Sequence, residues 1–175
     1  VANLKKGMNP ARFYEYALSS SLMIVLIGML VGINDLAAVI LIFGVNAMMN
    51  LFGIMMEKHN QLTSKTDWTS FIYGCIAGIF PWIAIMWYFL GAINSGGENK
   101  PPAFVYAIIP TIFVFFNIFA VNMFLQYKKV GRWKDYLFGE RVYIILSLAA
   151  KTNLAWMLFS GVFAPYQPDF SLGQI

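Results

Sequence analysis

Two ionisable residues stand deep inside apolar stretches of this sequence. Lys151 sits midway along the run Leu148-Ala149-Ala150-Lys151-Thr152-Asn153-Leu154, and Glu15 lies within another stretch near the start. An ammonium at the centre of a bilayer costs roughly 3 kcal/mol on insertion scales, so such a residue is a functional candidate by default. Lys151 is too central for its side chain to reach either interface. The chemistry open to the two is an ion pair in low dielectric, serving either a function or only the packing of a bundle.

The pair can form if the two helices run in the same direction. Glu15 lies ~10 Å along its helix from Met8, and Lys151 ~18 Å along its own from Gly139, at a rise of about 1.5 Å per residue. Helical side chains lean toward their own N-terminus, so the long lysine reaches back and closes the difference in depth. Ser19 follows Glu15 by four residues and Ser147 precedes Lys151 by four, which sets a hydroxyl on the same face as each charge. Arg12, three residues before Glu15, is placed to hold the carboxylate ionised. Glu15 reads as the only carboxylate within a span, the other seven acidic residues mapping to connectors, helix ends or the tail.

The elements that must position these charges follow from composition. The 175 residues are 59% hydrophobic and only 11% charged, whereas a soluble domain is roughly half apolar and a quarter charged. With a mean hydropathy of +0.66 the natural solvent is lipid. Nine Tyr and five Trp suit an amphipathic belt at the membrane interface. The net charge of +4 does not imply nucleic acid, because the basic residues occupy short loops between apolar runs. His59 is the only histidine and lies in a polar loop, so no His-based metal site is expected, and no nucleophile–base pair suggests an enzyme. Cys75 is the only cysteine; it excludes an intrachain disulfide and reads as a small buried apolar residue. The chain begins at Val1 with neither a signal peptide nor an initiator methionine, and it reads as part of a longer protein.

Five apolar stretches are long enough to cross a bilayer as helices, at about 20 residues each. They run from about Met8 to Gly32, Leu36 to Met56, Trp68 to Ile93, Ala103 to Gln126 and Gly139 to Ala164. Barrel strands would be shorter and would alternate in polarity. The fold class is therefore an all-α, polytopic transmembrane helix bundle forming a single domain over 1–175, with a polar tail over 165–175. Ten of the twelve basic residues fall at one set of helix ends, among them Lys5, Lys6, Lys58, Lys65, Lys128, Lys129, Arg132 and Lys134, with Lys100 opposite and Lys151 between. The positive-inside rule makes that set cytoplasmic, the start of the chain cytoplasmic and its C-terminus extracellular.

The segment Asn9-Pro10-Ala11-Arg12-Phe13-Tyr14-Glu15-Tyr16, followed by Ser19-Ser20-Ser21, resembles the third helix of heliorhodopsins. Ser147-Leu148-Ala149-Ala150-Lys151-Thr152-Asn153-Leu154-Ala155-Trp156 resembles their seventh, and Asn117 to Trp133 is similar to their sixth helix and the loop after it. The resemblance implies a seven-helix retinal photoreceptor of the cell membrane with a cytoplasmic N-terminus, a topology inverted relative to other microbial rhodopsins. Five helices are visible here, so it also implies that two more precede Val1. Carried over, Lys151 forms the Schiff base with all-trans retinal, and Glu15 is its counterion. Arg12, Ser19 and Ser147 surround that pair, and Tyr16, Asn46, Met49, Trp82, Phe116 and Trp156 line the pocket. A homodimer is implied as well, and the basic loops leave room for a cytoplasmic signalling partner.

Retinal aldehyde condenses with a neutral lysine amine to give an imine, and a nearby carboxylate favours its protonated form. A light-driven pump is the first alternative to a sensor. Pumps keep ionisable groups spaced across the membrane, yet the position eleven past Glu15 is Leu26 and that four before Lys151 is Ser147. A transporter or scaffold without retinal, using a structural Lys–Glu pair, is the second. Gly28-Met29-Leu30-Val31-Gly32 and Gly74-Cys75-Ile76-Ala77-Gly78 both have the G-x-x-x-G form that permits close helix contact, within one chain or between two.

Overall fold

A computed structural model describes residues 7–94, 101 and 103–163. Among these the chain is all helical. In order come α1 (Pro10–Leu30), α2 (Leu36–Asn60), α3 (Thr69–Asn94), α4 (Ala103–Lys128), a short 3-10 turn (Gly131–Lys134) and α5 (Tyr136–Phe163). All five helices are long and apolar enough to span a membrane. The expected tail over 165–175 and Lys5, Lys6 and Lys100 lie outside the described residues.

Local chemistry sets the helix ends. Asn9 caps α1, its side chain accepting from the Arg12 amide, and Pro10 stands at the first helical position, where its missing N–H costs nothing. Gly32 at φ +98° ends α1, and the Ile33 amide returns to the Gly28 carbonyl at 3.0 Å, the usual closure for a glycine after a helix. Asp35 caps α2 by accepting from the Ala38 amide at 2.8 Å. Asp67 accepts from the Thr69 amide at 2.7 Å at the start of α3, and Thr69 holds that carboxyl below the usual carboxylate range. Pro81 and Pro110 lie inside α3 and α4, a tolerated placement in membrane helices.

The helices pack in chain order, α1 on α2, α2 on α3 and α4 on α5. One buried core joins all five, with Ile24 and Ile27 of α1, Ile85 of α3, Ile108 and Ile112 of α4 and Leu154 of α5. Glycines let α2 and α3 approach: a Cβ at Gly78 would fall 2.5 Å from Met49 Sδ, and one at Gly74 would fall 3.4 Å from the Met49 carbonyl. The Gly74–Gly78 pair thus serves a contact inside one chain. Bulky apolar side chains such as Ile72, Phe80, Trp87 and Ile145 point outward, as lipid-facing residues do. Cys75, expected to be buried, is exposed instead, on the lining of an open cavity between the helices.

Candidate functional site

Lys151 and Glu15 meet. Lys151 Nζ donates to Glu15 Oε1 across 136 positions of sequence. The pair bridges the flank between α1 and α5, which pack chiefly on α2 and α4 respectively. Among the described residues no helix covers that flank, so the side chains are 38% and 49% exposed. The pair thus sits at the edge of the five described helices.

Behind Lys151 lies a cavity of about 350 Å³ to which all five helices contribute. That volume is within the roughly 300–1,000 Å³ typical of small-molecule sites. Of the expected site residues, Lys151, Ser147, Tyr16, Ser19, Met49, Trp82 and Phe116 line it. Phe113 and Phe116 meet the Trp82 ring edge-on, with centroids at 5.1 and 5.6 Å. Such edge-to-face contacts hold aromatic walls in place. Tyr16 donates its hydroxyl to the Tyr143 carbonyl at 3.0 Å, and its ring centroid lies 5.8 Å from Lys151 Nζ. Ser19 Oγ is buried and finds no partner among the described residues. A primary amine, an unpartnered hydroxyl and aromatic walls together fit an apolar carbonyl compound.

Asn46 and Trp156 do not line the cavity. Asn46 is buried behind its wall, donating to Ser20 Oγ at 2.8 Å and Ser21 Oγ at 3.0 Å. Asn50, one turn further along α2, does reach the cavity, and it too donates to Ser20 Oγ, at 3.0 Å. Trp156 is 65% exposed and meets the Phe159 ring edge-on. It follows Lys151 by five residues, which turns it about 140° away around the helix.

Arg12 does not hold Glu15. Its guanidinium pairs with Glu57 at 2.8 Å and with Glu140, and the faces of the Phe13 and Tyr143 rings cover it at 4.4 and 3.8 Å. Three residues along a helix separate side chains by about 60°, enough to direct Arg12 and Glu15 to different neighbours. Glu15 is therefore not the only carboxylate within a span. α2 continues to Asn60 and takes in Glu57, while α5 begins at Tyr136 and takes in Glu140. The sequence reading stopped the second span at Met56 because charges follow it; Arg12, on another helix, is what makes burial of Glu57 tolerable.

Five membrane-spanning helices around an aromatic cavity, with a lysine in its wall, define the class: a rhodopsin-type membrane protein. The heliorhodopsin family profile matches residues 1–163, and the chain belongs to that family, whose chromophore is retinal. No curated protein matches the chain closely enough to count as a relative.

Proposed function

We propose that the protein is a light sensor that holds all-trans retinal as a protonated Schiff base on Lys151, with Glu15 as counterion, and that it signals rather than pumps. The observation that carries this reading is the contact between Lys151 Nζ and Glu15 at the wall of the aromatic cavity. Bound retinal supplies the light absorption and the isomerisation. The chain's own residues do the rest. Lys151 offers the amine, and Glu15 offers the negative charge that keeps a cation stable in a low-dielectric site. Trp82, Phe116 and Met49 confine an apolar ligand and exclude water, while the Ser19 and Ser147 hydroxyls are placed to hydrogen-bond near the charged end.

The distribution of ionisable groups supports sensing over pumping. Beyond Lys151, residues 152–163 of α5 carry none; nor do residues 18–30 of α1, 36–56 of α2 or 103–121 of α4 carry any acidic, basic or histidine side chain. A proton path needs relay groups on both sides of the chromophore, and among the described residues that half of the five helices carries none. The basic loops at the opposite helix ends support a cytoplasmic placement of Lys65 and Arg132 and a surface on which a signalling partner could dock. A homodimer remains part of the proposal on family grounds.

Two measurements on protein reconstituted with retinal test the reading. A visible absorption band that hydroxylamine bleaches is expected, as is no sustained, protonophore-sensitive pH change when vesicles are illuminated. A steady light-driven pH change would make the protein a pump.

A further inference from the structure

The Arg12 cluster has an unbalanced charge. One guanidinium serves two carboxylates, and the side chains of Arg12, Glu57 and Glu140 are only 6%, 2% and 8% exposed. The remaining carboxylate oxygens are also engaged: the Asn9 amide donates to Glu57 Oε2 and the Asn9 side chain to Glu140 Oε2, both at 2.7 Å. Tyr136 donates its hydroxyl to Glu57 Oε1 at 3.2 Å. With both carboxylates ionised the site would hold a net charge of −1 away from water.

Among the described residues no second cation pairs with either carboxylate. Lys58 and Arg141, the sequence neighbours of Glu57 and Glu140, are exposed. Among the described residues the other titratable groups facing the cluster are phenols: Tyr16 from α1, Tyr127 from α4, and Tyr136 and Tyr143 from α5. A buried, uncompensated charge is removed by protonation more readily than it is tolerated, and two close carboxylates then share the proton as a unit.

We propose that Glu57 and Glu140 bind one proton between them at neutral pH, making the Arg12 cluster a neutral proton-storing site separate from the Lys151–Glu15 pair. The proton comes from bulk water, forms one O–H bond on a carboxylate oxygen, and breaks no bond in the protein. The site ties the first turns of α1 and α5 to the last turn of α2. The proposal stands whether or not Lys151 carries retinal.

Infrared spectroscopy of the full chain at pH 7, in H2O and in D2O, tests it. Wild type is expected to show a carboxylic-acid C=O band that shifts in D2O. Glu57→Gln and Glu140→Gln should each abolish the band, because one carboxylate left beside Arg12 needs no proton. Glu15→Gln should leave it unchanged. Absence of the band in wild type, or its survival in both single variants, would overturn the proposal. Should the glutamine variants not accumulate, wild type alone decides. Its folding constant should fall about tenfold per pH unit between the ordinary glutamate pKa of about 4.3 and neutral pH, where the folded state still holds a proton that the unfolded state has already lost. A folding constant that stays level there would overturn the proposal equally.

Discussion

Arg12 and Glu15 stand three residues apart on α1, yet their side chains belong to two separate charged assemblies. Glu15 takes Lys151 at the edge of the cavity, while Arg12 takes Glu57 and Glu140 in a buried cluster. α5 contributes to both as well, through Lys151 and Glu140. α1 and α5 thus each connect the Lys151–Glu15 pair to the cluster that clamps them to α2.

Lys151→Ala should give a protein that still inserts but forms no visible band with retinal, since it removes both a costly in-membrane charge and the attachment amine. Insertion is checked by yield in the membrane fraction and the band by absorption. A retained visible band would place the attachment elsewhere.

The helices were legible because length and apolarity alone demand them, and the expected bounds differ from the observed ones by at most four residues. The contact between Lys151 and Glu15 was legible because two out-of-place charges on parallel helices have few other ways to be compensated. The Arg12 cluster was not. Glu57 and Glu140 lie close to helix ends, where sequence reading assigns charges to solvent, and only the tertiary approach of α1, α2 and α5 buries them. Spacing suggested Arg12 for Glu15 by proximity along one helix, but a residue's neighbours on adjacent helices decide its partner. Likewise, nothing in the sequence distinguishes Asn46 from Asn50, one turn apart on α2; the packing against Ser20 and Ser21 does.

Arg12→Gln should destabilise the bundle by about 3–5 kcal/mol, the usual cost of removing one partner from a buried ionic group. Glu57→Gln, which leaves a balanced pair with Glu140, should cost much less. Thermal or denaturant unfolding of both variants compares them; equal effects would contradict the charge balance described above.

Orientation is tested with single cysteines in a Cys75→Ser background. Lys65 and Asn34 are both exposed and lie in loops at opposite ends of α2. Asn34→Cys should react with an impermeant thiol reagent added outside intact cells, and Lys65→Cys should react only after lysis. The reverse pattern would invert the topology.

The most direct test of the chromophore assignment is the visible spectrum of Glu15→Gln reconstituted with retinal at pH 7, without added halide. Glutamine keeps the shape of Glu15 but removes its charge, and among the described residues no other carboxylate contacts Lys151. On the proposed assignment, a protonated Schiff base at Lys151 then loses its stabilising partner. The account predicts that the band moves from the visible to the near-ultraviolet as the proton is lost, with wild type still absorbing in the visible. A visible band unchanged in Glu15→Gln would show that the counterion is not Glu15.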